Sequence, residues 1–242
     1  MTGNGMSAAL ADQYKDYYTD GSVDAKRSLT ARLVFKRLRD LTMPSGLRRV
    51  IDVGCGEGSL LGEFSRNGFA EELYGLEISQ SGAKRVQAKT IPKLVQVQTF
   101  DGYSIPYPDK HFDLAVSIHV LEHVEHERRL ISELARVSKR FFVEVPLEDG
   151  RNLARAMEIG KRYGHINFYS SRRFIGLLRT TAGVANVTRH AVYPAGREYE
   201  CFLSGTVRGT IKHALRSAFL KVMPRSAEWN LTYMLGAVCE SQ

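Results

Sequence analysis

Three glycines at alternate positions, Gly54, Gly56 and Gly58, separate the apolar run Val50-Ile-Asp-Val53 from an apolar, helix-like segment. Glycine permits a tight turn there and lets a ligand approach bare backbone. The turn feeds a helix N-terminus, whose unpaired N–H groups favour a negative ligand group. Strand, glycine loop and helix together make a nucleotide-type ligand site. Acids surround it. Asp52 stands just ahead of Gly54, where a carboxylate attracts a cationic ligand group. Glu77 lies 19 residues past Gly58; a carboxylate there accepts from ribose hydroxyls, and Ile78 can pack on an adenine face. Asp101, between Phe100 and Gly102, can accept from an adenine amino group. Singly, each has a plainer reading: glycines mark any tight turn, Glu77 beside Ser79 resembles a solvated helix cap, and Asp101 a turn residue. Together they put one acid at the end of each successive strand, which favours the ligand site.

The elements that must position these groups alternate along the chain. Strand-like runs occupy 48–53, 72–78, 94–99, 112–118, 140–145, 184–193 and 231–239. Helical patterns cover 7–18, 25–40, 58–66, 79–89, 120–138, 150–161 and 170–180, with a basic amphipathic segment at 207–223. Met43-Pro-Ser-Gly46 ends the second helix. In 120–138, Val120, Leu121, Val124, Leu130, Ile131, Leu134 and Val137 form an apolar stripe. Such alternation implies right-handed crossovers and a mostly parallel sheet covered on both faces. Its ligands bind beyond the carboxyl ends of the strands, where the strand order reverses. One domain over 1–242 is the simplest organisation: helices over the site at 1–45, the ligand-binding core at 46–146, and a basic, substrate-side part at 147–242.

Composition agrees with an ordinary globular chain: 242 residues, 43% hydrophobic and 25% charged. No apolar run approaches the roughly 18 residues that span a bilayer. The segment Met1–Leu10 lacks the basic and apolar regions of a secretory signal. Cys55, Cys201 and Cys239 are far apart and odd in number, so they read as free thiols in a reducing, cytoplasmic compartment. The net charge of +8 is uneven, since 151–226 holds 14 Lys/Arg against three glutamates.

Asp52-Val-Gly-Cys-Gly-Glu-Gly58 closely resembles the first motif of class I S-adenosylmethionine-dependent methyltransferases. Phe112-Asp-Leu-Ala-Val-Ser-Ile-His-Val-Leu-Glu-His-Val124 resembles the fourth-strand motif of their ubiquinone/menaquinone-type small-molecule branch. The resemblance covers 48–146 well and Gly164-His-Ile-Asn-Phe-Tyr169 more loosely. It implies a Rossmann-like, doubly wound, seven-stranded sheet and an enzyme that uses S-adenosyl-L-methionine and releases S-adenosyl-L-homocysteine. By that resemblance Asp52, Gly54 and Gly56 line the methionine part of the cofactor, Glu77 the ribose, and Ile78 with Asp101 the adenine. Cys55, Gly58 and Gly102 count among the cofactor-binding residues, and Ser117, Ile118 and His119 border the sulfonium. Two departures bear on the substrate: Ser138-Lys-Arg140 replaces a Lys-Pro-Gly-Gly turn, and the run between the last two strands is long and basic. A dinucleotide dehydrogenase fits less well, because its Gly-x-Gly-x-x-Gly would need glycine at Ser59.

A sulfonium donor is already activated, so transfer needs chiefly alignment in a dry pocket, and a base only for a protonated nucleophile. His119 is a candidate base or substrate contact, or else a packed ring or helix-cap contact. His123 is a candidate partner that holds the loop. His165 is a candidate over the substrate, or else a satisfied loop histidine. His126, in a charged run, reads as solvated. His119-Val-Leu-Glu122-His123 also matches a His-x-x-Glu-His zinc signature, but no third ligand suggests itself and no metal is expected. Tyr14, Tyr17 and Tyr18 form a stripe that is either a lid over the cofactor or packing of a terminal helix.

Arg151, Arg155, Lys161, Arg162, Arg172 and Arg173 suggest an anionic acceptor. Ile211, Ala214, Leu215, Ala218, Phe219 and Val222 repeat at helical spacing beside Arg208, Lys212 and Arg216; such a helix either lies on an anionic membrane or packs on the domain. Three functions follow: methyl transfer to an oxygen or nitrogen of a small, anionic metabolite; methylation of RNA or protein by the basic half; or a catalytically silent binding module. The first is favoured over nucleic acid, because no RNA-recognition motif is present.

Overall fold

The computed structural model describes residues 7, 12, 14–19, 21–42, 46–151 and 153–242. Much of the helix expected over 7–18, and residues 43–45 of the expected break, lie outside these. Seven strands form one sheet: β1 (Arg49–Val53), β2 (Glu72–Glu77), β3 (Leu94–Thr99), β4 (Phe112–Ile118), β5 (Ser138–Leu147), β6 (Val184–Tyr193) and β7 (Tyr233–Ser241). Their order is β3-β2-β1-β4-β5-β7-β6. The first five are parallel, and β7 runs antiparallel between β5 and β6. The order reverses between β1 and β4, which is where a ligand crevice is expected in such a sheet.

Alternation of side chains splits the core between the two faces. Val50, Leu114 and Phe142 face one apolar cluster, while their chain neighbours Ile51, Ala115 and Phe141 face the other. The first cluster is covered by α1 (Asp24–Thr42), α2 (Ser59–Arg66) and α3 (Gln80–Gln87). The second is covered by α4 (Glu127–Val137) and α6 (Ser171–Arg179), with α5 (Leu153–Tyr163) lying between them in the chain. Three further helices, α7 (Arg197–Ser204), α8 (Thr206–Val222) and α9 (Pro224–Asn230), fill the connection from β6 to β7.

One expectation is corrected. The apolar stripe at 120–138 predicts one helix, yet α4 begins only at Glu127. The amides of Glu125 and His126 donate to the Tyr103 hydroxyl at 3.0 and 3.2 Å. The carbonyls of Leu121 and Val124 accept from Asn167 Nδ2 at 2.9 and 2.7 Å. The backbone groups a helix would use are thus committed elsewhere. The basic amphipathic segment expected at 207–223 is the helix α8, Thr206–Val222; within its stripe Ile211 and Leu215 are 54% and 66% exposed, whereas Phe219 packs against the core.

Candidate active site

Three adjoining cavities of about 320, 380 and 260 Å³ open at the carboxyl edge of the sheet, and Tyr17 and His119 line all three. The first follows Asp52, Gly54, Cys55 and Gly56; the third passes Glu77, Ile78, Phe100 and Gly102. The second reaches Glu122, His123, Glu148, Tyr163 and His165.

The glycine loop is built for close approach. Gly54 and Gly56 have φ of 83° and 58°, the left-handed region that strains any side chain. A Cβ on Gly54 would stand 2.3 Å from Val120 Cγ2, and one on Gly56 would stand 2.8 Å from the Tyr18 hydroxyl. The Gly56 amide donates to Glu77 Oε2 at 2.6 Å, and the Ser79 amide donates to Oε1 at 2.9 Å. A carboxylate oxygen accepts more than one bond, so both remain able to meet hydroxyl donors. Burial raises the pKa of Glu77, against the pull of those amides. Asp52 is also buried, and burial with the charges of Glu77 and Glu57 pushes its pKa up to about 8. A dry corner holding several acids attracts a cation.

Other expected cofactor contacts are placed differently. Asp101 is exposed, and its Oδ1 accepts from the amides of Tyr103 and Ser104 at 2.9 and 2.6 Å. Partial burial opposes these bonds, yet they hold its carboxyl below the usual range. Ser117 is buried and donates to the Val53 carbonyl at 3.0 Å, tying β4 to β1. Neither Ser117 nor Gly58 lines any of the three cavities, whereas Ile118 lines the first and third and His119 all three.

His119 is held at φ 54°, unusual for a residue with a Cβ, and its amide donates to the Glu144 carbonyl at 3.0 Å. Its Nδ1 lies 3.3 Å from Glu122 Oε1 and its Nε2 3.4 Å from Glu144 Oε1. Burial lowers its pKa, but these hydrogen bonds and charges outweigh burial and push it up to about 10. Carboxylates facing both ring nitrogens favour the protonated, donating form of His119 over the proton-accepting form, which suits a substrate contact better than a general base.

His123 and His165 meet edge to face with centroids 4.8 Å apart. His123 Nδ1 lies 2.7 Å from the Tyr14 hydroxyl and 3.1 Å from the Gly164 carbonyl; burial lowers its pKa and keeps it neutral. His165 Nδ1 lies 2.8 Å from Glu148 Oε2, and against burial that carboxylate raises its pKa. Residues 120–126 are turn and irregular backbone, so His119 and His123 share no helix face.

The aromatic segment caps these cavities. Residues 16–18 form a turn; Tyr14 is buried against His123, while Tyr17 and Tyr18 stack edge to face at 5.1 Å in front of the glycine loop. Arg27 sits over the Tyr18 ring at 4.7 Å. The Tyr18 amide donates to Ser81 Oγ at 3.2 Å, and Arg85 Nη1 donates to the Tyr18 carbonyl at 3.0 Å.

Sequence reasoning missed Arg37, Glu144 and Tyr193, which share one buried knot. Glu144 lies in the middle of the apolar Phe141-Phe-Val-Glu-Val145, and an acid at a core position of a strand was the available signal. Arg151, Arg155, Arg172 and Arg173 do not line the three cavities; Lys26 does, in two of them. The side chains of Lys161 and Arg162 lie outside the description.

Ajmaline N-methyltransferase of Rauvolfia serpentina is 29% identical over 133 residues, 50% of this chain and 45% of that protein. Chloroplastic tocopherol O-methyltransferase of Arabidopsis thaliana is 28% identical over 116 residues, 46% of this chain and 33% of that protein. The chain spans less than half the length of these curated relatives. Geranyl diphosphate C-methyltransferase from Streptomyces coelicolor A3(2), solved with Mg2+, geranyl diphosphate and S-adenosyl-L-homocysteine, superimposes with a TM-score of 0.63. At 15% identity, over 98% of this chain and 90% of that one, the likeness is one of fold. The family model for the methyltransferase domain matches residues 24–188, well over half of the chain, and the protein therefore belongs to the methyltransferase domain family.

Proposed function

We propose that the protein is an S-adenosyl-L-methionine-dependent methyltransferase that modifies an oxygen or nitrogen of a small molecule. The observation that carries this reading is the left-handed glycine bend hydrogen-bonded to Glu77 and opening onto cavities that meet at Tyr17 and His119. When bound, S-adenosyl-L-methionine supplies a methyl group on an activated, cationic sulfur. The acids fit such a ligand, since Asp52 and Glu77 form an acidic corner whose ionised form suits ammonium and sulfonium groups and does not suit a pyrophosphate. Glu77 would hold the ribose hydroxyls, Ile78 and Asp101 the adenine end, and Gly54 to Gly56 the methionine end. Tyr17 and Tyr18 exclude water and offer ring faces to positive charge. The acceptor would occupy the cavity of about 380 Å³, where His123, His165 and Glu148 can receive or activate a hydroxyl proton and Lys26 faces an anionic group.

Support for a small acceptor comes from relatives named for an alkaloid and a tocopherol. We keep the ubiquinone/menaquinone-type branch, on the Phe112–Val124 segment, and one domain over 1–242. We place the protein in the cytoplasm, because all three cysteines are free. The test is a screen with methyl-labelled S-adenosyl-L-methionine against metabolite, RNA and protein fractions. Label in small metabolites supports the proposal. Label only in RNA or protein favours macromolecular methylation, and cofactor binding without any labelled product favours a silent module.

A second reading concerns α8. Its exposed Val207, Ile211 and Leu215 run beside exposed Arg208 and Lys212, a pattern suited to peripheral contact with an anionic membrane. Cosedimentation with anionic but not neutral vesicles, abolished by Ile211→Glu/Leu215→Glu, is the expected result. Equal recovery with both vesicle types would contradict it.

A further inference from the structure

Glu122, His123 and His165 present three ligand atoms that all lie within 4.8 Å of one another. They come from two segments far apart in sequence. The amides of Ile166 and Asn167 donate to the Glu122 carbonyl at 2.8 and 3.0 Å, which latches the loop carrying His165 onto the turn carrying the other two. Both rings are oriented from behind. His123 Nδ1 faces the Gly164 carbonyl at 3.1 Å and the Tyr14 hydroxyl, which can accept there as well as donate, at 2.7 Å, and His165 Nδ1 faces the Glu148 carboxylate at 2.8 Å. Acceptors at Nδ1 keep the proton there and leave Nε2 as the nitrogen with the lone pair. A carboxylate or carbonyl behind a histidine is the usual support of a metal ligand.

The third ligand carries the strongest sign. Glu122 is 1% exposed, its Oε1 is near His119, and its Oε2 is fully buried with no hydrogen-bond partner among the described residues. An unpartnered buried carboxylate oxygen is costly, and a cation would satisfy it. His119 itself is not a ligand, because both of its ring nitrogens face carboxylates.

We propose that Glu122, His123 and His165 bind a divalent transition-metal cation at the floor of the acceptor cavity, with open coordination positions that take an oxygen of the acceptor. Two imidazoles and one carboxylate suit manganese, iron, cobalt or zinc, whereas magnesium and calcium prefer all-oxygen shells. The cation site stands on the geometry alone; its use in catalysis rests on the proposed methyl transfer. With the cation in place His123 and His165 would act as ligands instead of bases, and an acceptor hydroxyl bound there would be acidified and release its proton to solvent. Its oxygen lone pair then forms the bond to the methyl carbon while the carbon–sulfur bond breaks, and that electron pair stays on sulfur as a neutral thioether. The acceptor class is therefore a hydroxylated molecule, with adjacent oxygens favoured because two can chelate one cation.

The test uses the full chain, stripped with chelator, desalted, and titrated with MnCl2 or ZnCl2 by calorimetry and by loss of the free Mn2+ resonance. One cation per chain is expected. Glu122→Gln and His165→Ala should each weaken binding by more than about tenfold, and Glu148→Gln by about tenfold through its effect on the His165 ring. His126→Ala, outside the cluster, should bind as the parent does, and circular dichroism checks that each variant is folded. Retention of parental affinity in both Glu122→Gln and His165→Ala, absence of saturable binding, or magnesium binding as tightly as manganese would overturn the site. Cofactor binding and methyl transfer that persist in chelator would remove only the catalytic use of the cation, leaving the site and the methyltransferase reading intact. Stoichiometric metal binding without methyl transfer to any acceptor would contradict the methyltransferase reading while leaving the site intact.

Discussion

Arg37 of α1 and Glu144 of β5 form a two-pronged ion pair, Nε to Oε2 at 3.1 Å and Nη2 to Oε1 at 2.5 Å. Tyr193 donates to Glu144 Oε2 at 2.9 Å, and the same carboxylate reaches His119 at the cavity junction. The helix before the glycine loop is thereby coupled to the residue at the centre of the site. Glu144 is fully buried, which alone would raise its pKa, but the Arg37 charge and His119 hold it at about 2.

Breaking that pair has a defined direction. Arg37→Ala removes the two-pronged partner of a buried carboxylate, leaving it only Tyr193 and His119, and should cost about 3 kcal/mol in chemical denaturation. The sign with pH follows from the depressed value: the stabilisation is present above the ordinary glutamate range and is lost as pH falls toward about 2. In Arg37→Ala the loss should begin at higher pH. Unchanged stability at neutral pH would contradict the pairing.

Asp52 gives a pH signature to ligand binding. Its pKa of about 8 in the free protein means that it is largely protonated at pH 6. A cationic ligand favours the carboxylate, so binding releases a proton below pH 8. Affinity for S-adenosyl-L-methionine should rise with pH by up to about tenfold per unit and level off above 8. Asp52→Asn should flatten the profile, as measured by calorimetry in buffers of different ionisation enthalpy.

The aromatic cap is tested by Tyr18→Ala and by removal of residues 1–20. Loss of ring contact with a cationic ligand is worth about 1–2 kcal/mol, so S-adenosyl-L-methionine should bind about five- to thirtyfold more weakly. Unchanged affinity and turnover in both variants would make the segment simple packing.

Gly236 lies beneath Tyr193, whose hydroxyl would be 2.1 Å from a Cβ at that position. Gly236→Ala must displace the ring from Glu144. A loss of about 1–3 kcal/mol is expected, measured by urea unfolding. Gly176→Ala is the control, since open space surrounds that glycine.

Much of the sheet was legible because strands such as 112–118 and 184–193 are short β-prone runs bounded by breaks. The late start of α4 was not, because buried Leu121 and Val124 satisfy helical spacing while serving a turn whose hydrogen bonds come from Asn167 and Tyr103. The glycine loop and Glu77 declared themselves by local spacing. The knot of Arg37, Glu144 and Tyr193 did not, for its members lie on three separate elements and meet only in the folded chain. His165 was visible as a residue but not as the neighbour of His123, since that proximity depends on the latch at 166–167.

Glu77 accepts from the glycine loop and lines the cavity assigned to the nucleoside, so its removal should abolish the site's defining interaction. S-adenosyl-L-homocysteine titrated into wild type and Glu77→Ala by calorimetry decides the matter. One site per chain in the wild type, weakened by about a hundredfold or more in the variant through loss of charged hydrogen bonds, is the expected result. Equal affinity in a folded Glu77→Ala protein would contradict it.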